Sequence, residues 1–263
     1  MSSFRVMIII KSESDQRAMR DAGTIASAVL SAICEFIKPG VTTRQVDLYA
    51  AKEMAALGGR SAFLGYKNYP CHVCLSINDE VVHGISGERR LQFGDIASVD
   101  VGVVFRGFIG DNARTVAVGG CSPAAQKLMD VTEQALNDGI AQATVGNRVA
   151  DISRAIQFTV EKNGFNVVRE FVGHGVGRSM HEEPQVPNYD DGKRSYQLRH
   201  GMTLAIEPMV NAGISGVRVL NDGWTVVTQD GLPSAHFEHT VLITKSGPEI
   251  LTCSDRTRFT RKA

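Results

Sequence analysis

The sequence has no excess of charge of either sign: 28 Lys and Arg stand against 28 Asp and Glu. A neutral chain has no long-range attraction to nucleic acid or to an anionic membrane surface. Long hydrophobic runs are missing. Runs such as Val6-Met7-Ile8-Ile9-Ile10 are far too short to span a bilayer. No longer apolar stretch or small-residue cleavage site follows that run, which argues against a signal peptide. Cysteine is sparse, and five thiols, an odd number, make no disulfide framework. Low-complexity tracts, linkers and charge blocks are also missing. What remains is an ordinary globular composition, 43% hydrophobic and 21% charged, in 263 residues. That length suits one large domain or two small ones. The absences together point to a soluble protein of a reducing compartment, the cytoplasm, with no membrane and no sequence-specific nucleic acid among its partners.

Apolar periodicity places four helices. Met19, Ala22, Ile25, Ala26, Val29, Ile33 and Phe36 recur at helical spacing after a cap at Ser12 or Ser14, and Lys38-Pro39-Gly40 stops the run. A second helix is expected from Thr43 to Leu57, before Gly58-Gly59. A third follows Ser122-Pro123, a cap with proline at the first helical position. A fourth covers Val149 to Lys162 and stops at Asn163-Gly164. Extended segments come after each pair: Val73 to Ile77, Ile96 to Phe105 and Phe108 to Val118, then Met202 to Ile206, Gly216 to Leu220, Thr225 to Thr228 and Ala235 to Thr244. Helix, helix, strands is therefore written twice. We read residues 1–263 as a single α+β domain made of two related halves, about 12–120 and 121–251, with pseudo-twofold symmetry. A cleft between such halves is a natural site.

Four acids interrupt segments that otherwise read as core. Asp100 lies in Ser98-Val99-Asp100-Val101, and Asp111 in Ile109-Gly110-Asp111-Asn112. If Arg106-Gly107 is a two-residue hairpin, Asp100 and Asp111 share a face as diagonal neighbours, roughly 7–8 Å apart or less. A three-residue loop would put them on opposite faces. Glu207 ends Leu204-Ala205-Ile206, and Glu238 lies in Phe237-Glu238-His239-Thr240. Any one of these could be a solvent-face acid. Four together imply a compensating cation, because adjacent buried carboxylates cost several kcal/mol each. His174 stands between glycines in Gly173-His174-Gly175-Val176-Gly177, a glycine-rich turn that lets backbone approach a ligand. His72, His200, His236 and His239 read as framework histidines. An oxygen-rich set with one imidazole suits Mn²⁺, Fe²⁺ or Co²⁺ better than a tetrahedral zinc site. Two divalent ions balance four carboxylates, and a hydroxide bridging them is a nucleophile.

The ordered set Cys74-Leu75-Ser76-Ile77-Asn78, Val81-Val82-His83-Gly84, Ser98-Val99-Asp100-Val101, Gly110-Asp111-Asn112-Ala113-Arg114-Thr115, Gly173-His174-Gly175-Val176-Gly177, His181-Glu182-Glu183-Pro184, Ile206-Glu207-Pro208 and Phe237-Glu238-His239-Thr240 resembles the type I methionine aminopeptidases from about Ile10 to Leu251. The resemblance implies the duplicated pita-bread fold, an antiparallel sheet flanked by helices, and a metallo-exopeptidase. It would remove initiator methionine from nascent polypeptides with a small second residue, at the ribosome and as a monomer. Two divalent ions (Co, Mn or Fe) are implied. Asp100, Asp111, His174, Glu207 and Glu238 would be their ligands, with Asp111 and Glu238 bridging. Glu207 would also accept the proton of the nucleophilic water, His83 would contact the scissile amide, and His181 would stabilise the oxyanion. Tyr66, Tyr69, Cys74, Met180 and Trp224 would wall the methionine pocket together with His83 and His181, with Phe63 close by.

His174, Glu207 and Glu238 follow one another too closely to hold the helical insertion of type II relatives. No cysteine precedes Cys34, so the likeness is to the minimal form without an N-terminal zinc-binding extension. Met180 stands where relatives often have an aromatic residue, Phe63 where some have cysteine, and His236 where others have Gln. Cys71-His72-Val73-Cys74 has redox-motif spacing but no thioredoxin-like surroundings. The rival readings are a prolidase, aminopeptidase P or creatinase on the same fold, and a non-catalytic peptide-binding homologue.

Overall fold

The computed structural model describes residues 8–193 and 195–253. Val6 and Met7 of the apolar run, and both ends of the expected 1–263 domain, lie outside the described residues. Four helices form where the sequence caps them: α1 (Glu13–Phe36), α2 (Thr43–Ala56), α3 (Pro123–Gln142) and α4 (Val149–Lys162). The Ser12 hydroxyl accepts the Asp15 N–H, and the Asp15 carboxylate takes the Ser12 N–H in return. Thr42 and Gln45 repeat this exchange at α2. Ser122 accepts the Ala125 N–H ahead of Pro123, and Asp151 reaches back to the Arg148 N–H at 2.6 Å. Each cap satisfies donors that the first helical turn leaves orphaned.

The central sheet is antiparallel, with nine strands. Its main order runs Arg60–Ser61, Ile96–Phe105, Phe108–Ala117, Glu238–Thr244, Thr203–Ile206, Gly173–Gly175, Glu182–Val186. Cys74–Ile77 also pairs with Ile96–Phe105, and Gly247–Ile250 with Glu238–Thr244. Two three-stranded sheets flank it: Ser234–His236, Met209–Asn211 and Asn166–Val167, and then Val217–Val219, Val226–Thr228 and Glu80–Val82. This is the α+β pita-bread architecture. The sheet is continuous from first-half to second-half strands through Glu238↔Ala113 and His239↔Asn112.

Helices pack on one face of the sheet, and side-chain alternation then fixes what the other face carries. Val99, Val101 and Val103 are buried among Ala26, Val29 and Ile33 of α1 and Ala50 and Met54 of α2. Leu136 and Ile140 of α3 and Ile152 and Ile156 of α4 join Leu204, Val241 and Ile243 in a second core. Full burial of each such side chain stabilises by about 1.5–3 kcal/mol. Helix α1 approaches so closely that a Cβ on Gly110 would lie 2.5 Å from the Ala22 carbonyl oxygen. With a period of two, Asp100 and Asp111 must project from the opposite face.

Three expectations are corrected. Ala235 to Thr244 is two strands, because the chain leaves one sheet for another at Phe237. His174 sits in a short strand, Gly173–Gly175, rather than in a turn. Flanking glycine is still required, since a Cβ on Gly173 would meet the Ala205 carbonyl oxygen at 2.4 Å. Short strands such as Glu80–Val82 and Met209–Asn211 were not expected, being too brief to show a period. No described helix is long and apolar enough to cross a membrane.

Candidate metal centre and active-site cleft

The hairpin at Arg106-Gly107 has two residues, both with positive φ (48° and 80°), and Phe105 pairs with Phe108. That geometry matches the twist of the strands it joins. It fixes the register on which the site depends. Cys74, Asp100, Ala113 and Glu238 lie in one row across four strands. The next row carries Gly102, Asp111, Thr240, Ala205 and His174. Thr240 clamps Asp111 twice: its hydroxyl accepts the Asp111 N–H at 3.1 Å and donates to the Asp111 carbonyl at 2.8 Å. Glu207 follows the end of its strand, and Asn188 donates to its carbonyl at 3.1 Å. Acids and imidazole thus converge from both halves on one face, and the residues between them, Gly102, Ala113 and Ala205, are small.

The charges there are not balanced by protein groups. Burial, with their mutual repulsion, raises the carboxyls of Asp111, Glu207 and Glu238 well above their usual range. Burial raises Asp100 to about 7. Asp100 Oδ1, Asp111 Oδ1 and Glu238 Oε1 are buried without a hydrogen-bond partner. The His174 Nδ1 must donate to the Gly175 carbonyl at 2.9 Å, because a carbonyl only accepts. Burial also pushes this imidazole down to about 3, so it is neutral and turns an Nε2 lone pair toward the acids. That nitrogen lies 3.4 Å from Glu207 Oε1 and 3.8 Å from Asp111 Oδ2. Acceptors facing one another at these distances must share either protons, as the raised carboxyls allow, or a cation. One donor atom each from Asp111, His174 and Glu238 fall within 4.8 Å of one another. The donor set fits divalent metal.

All twelve residues singled out from the sequence line one cleft of about 180 Å³, room for a side chain rather than for a folded segment. On the apolar wall the Tyr69 and Trp224 rings meet edge to face at 5.0 Å, with Phe63, Cys74 and Met180 beside them. The Asp222 carboxylate takes the N–H groups of Trp224 and Thr225, so Trp224 covers a hairpin and walls the cleft at once. His83 has a left-handed backbone (φ 60°), and its ring stands edge-on to Phe171 at 5.5 Å and to Trp224 at 6.0 Å. Burial pushes His83 down to about 4, so it is neutral near pH 7. His181 packs 4.2 Å from the His174 ring, and its Nδ1 is hydrogen-bonded to the Tyr66 hydroxyl at 2.8 Å.

Residues 17–245 match metallopeptidase family M24. The chain belongs to that family. It is 49% identical over 246 residues to the methionine aminopeptidase of Clostridium perfringens, across 94% of this chain and 99% of that relative. It superposes on the methionine aminopeptidase of Thermotoga maritima with a TM-score of 0.91 at 46% identity, covering 94% and 99% of the two chains. Prolidase from Pyrococcus furiosus has the same fold, with a TM-score of 0.75 at 22% identity over 94% of this chain and 66% of that one.

As an M24 enzyme the chain is a hydrolase that works with divalent metal. Its cleft also contains residues that sequence reasoning passed over: Lys67, Val82, Phe171, Val172 and Met209. The aromatic Phe171 sits in a loop, where no period could mark it. His236 reads from the sequence as a framework histidine, yet its ring is buried beside Glu207. Of the other framework histidines, His72 is held by Asp47 at 3.0 Å and His239 by Thr252 at 2.9 Å, while the buried His200 Nδ1 has no hydrogen-bond partner. Cys71 and Cys74 are both free thiols, so no disulfide closes the CxxC motif.

Proposed function

We propose that this M24 enzyme removes the N-terminal methionine from polypeptides whose second residue is small. The observation that carries the reading is the pocket of soft, apolar side chains, Tyr69, Cys74, Met180 and Trp224, opening directly onto the buried acids and His174. A flexible thioether gains from such surroundings, with sulfur–aromatic contacts worth about 0.3–1.5 kcal/mol. Relatives named as methionine aminopeptidases, similar over nearly the whole chain, support the same substrate.

In this reading Asp100, Asp111, His174, Glu207 and Glu238 hold two divalent ions, with Co, Mn and Fe as candidates. Bound there, the metal would supply Lewis acidity and an activated water. Asp111 and Glu238, diagonal neighbours across the paired central strands, would serve both ions. Glu207 would take the proton of the attacking water, since its carboxylate lines the cleft and burial, together with the neighbouring acids, keeps its basicity high. His83, neutral and held by two rings, hydrogen-bonds the scissile amide. His181 donates to the oxygen that becomes negative. The free Cys34, Cys71, Cys74 and Cys121 accord with a reducing, cytoplasmic setting, where nascent chains at the ribosome are the substrate.

The test is release of free methionine from Met-Gly-Met and from Met-Lys-Met, with and without chelator. Cleavage of the first, its loss on chelation and poor cleavage of the second are expected. Cleavage of an Xaa-Pro dipeptide instead would favour the prolidase reading, and no cleavage at all a binding homologue.

A further inference from the structure

Eighteen of the described residues line the cleft, and among them Lys67 is the only lysine or arginine. It sits at the exposed lip, in a tight turn. The Gly65 N–H donates to the Tyr69 carbonyl at 2.8 Å, and the Tyr69 N–H to the Tyr66 carbonyl at 2.8 Å. Lys67 and Asn68 both hold left-handed backbone, with φ 47° and 70°. That conformation is uncommon for a lysine, and its cost must be met by the surrounding hydrogen bonds. The ammonium lies over the Tyr66 ring, 5.5 Å from its centroid. Among the described residues Lys67 makes no ion pair. Its side chain nonetheless lines the cleft together with His83 and His181. The turn therefore presents an unpaired cation next to the tyrosine that holds His181.

We propose that Lys67 is a specificity-determining residue, favouring polypeptides with an acidic side chain at the third or fourth position. This rests on the aminopeptidase reading above. If methionine fills the apolar pocket and the small second residue lies at the scissile bond, the following residues must leave over the lip. An Asp or Glu there finds a cation with no competing partner. A Lys or Arg there meets a like charge. The effect is an exposed-pair effect, modest and weakened by salt.

The test uses the metal-loaded full chain and C-terminally amidated peptides Met-Ala-Asp-Ser, Met-Ala-Ser-Ser and Met-Ala-Lys-Ser, read by release of methionine. In the unmodified enzyme kcat/KM should be about three- to tenfold higher for the Asp than for the Lys peptide, and this ratio should shrink at high salt. The ratio is read within each variant. It should fall to near one in Lys67→Met and invert in Lys67→Glu. An equal ratio in the unmodified enzyme and Lys67→Met would overturn the proposal while leaving the peptidase reading intact. No cleavage of any of the three would overturn both. Comparing Met-Ala-Ser as free acid and as amide separates a terminal carboxylate from a side chain. A preference shown only by the free acid also overturns the proposal.

Discussion

His236 Nε2 lies 3.7 Å from Glu207 Oε2, buried and without any hydrogen-bond partner. The His236 imidazole lies against one carboxylate oxygen and His174 against the other, at 3.4 Å, so Glu207 has a ring near each oxygen. Drawn in by a few tenths of an ångström, an Nε2–H there would hold this oxygen while the other faces His174. His236→Leu should lower metal affinity or kcat by about 10- to 100-fold, the usual cost of losing an outer partner of a ligand. His236→Gln, which still offers a donor, should retain most of both. Calorimetric titration with Co²⁺ reads the affinity separately from turnover.

The uncompensated acids predict a stability effect of metal. Divalent ions that bind the folded cluster and not the unfolded chain must raise Tm, by an amount that grows with metal concentration. About 2.7 kcal/mol is expected at one hundred times Kd. Exhaustive chelation should lower Tm and abolish activity together, and Mn²⁺, Fe²⁺ or Co²⁺ should restore both. Full activity in protein shown to be metal-free by elemental analysis would contradict it.

His174 and His181 should separate by experiment. His174 turns its lone pair into the cluster, whereas His181, tilted against the His174 ring, is tied by its Nδ1 to Tyr66. His174→Ala should lose metal and activity. His181→Ala should lose about 10²- to 10³-fold in kcat at unchanged metal content. Equal metal loss in both would erase the distinction.

Tyr66→Phe removes the hydroxyl at His181 Nδ1 and little else. A drop of about three- to tenfold in kcat, with KM nearly constant, is expected from one lost orienting hydrogen bond. A pure KM effect would make Tyr66 a pocket wall only.

Much of the site is legible from spacing. Asp100 and Asp111 share a face if Arg106-Gly107 is a two-residue turn, and the Phe105–Phe108 pairing removes the three-residue alternative that spacing leaves open. His174 shows through its flanking glycines, which crowd against neighbouring carbonyls. His236 does not show, because a histidine in Ala235-His236-Phe237 looks the same whether it packs in a core or backs a carboxylate. Only the switch of sheets at Phe237 turns it toward Glu207, and that switch depends on pairing with a strand far away in sequence. Phe171 and Lys67 lie in irregular segments, where tertiary structure alone decides which side chain faces the cleft.

Lys11 and Glu182 form a buried ion pair at 2.5 Å, and the other Glu182 oxygen takes the N–H groups of Arg178 and Ser179. Lys11→Met leaves Glu182 buried without its cation. A loss of about 3–5 kcal/mol is expected, or roughly 10 °C in Tm. The double variant with Glu182→Gln should be less damaged than the single one.

The row of pairs joining Ala113 to Glu238 also governs how the molecule comes into being. A chain growing on the ribosome reaches Asp100 and Asp111 early, and its first two helices can already pack on their strands. The edge of Phe108–Ala117 nevertheless stays open until Glu238–Thr244 has been made, and the two aspartates stand bare until then. A cut of the gene between the halves would leave two fragments, each with part of the acid set and an unpaired strand edge. Complementation in trans would have to rebuild that row before any ion could be held.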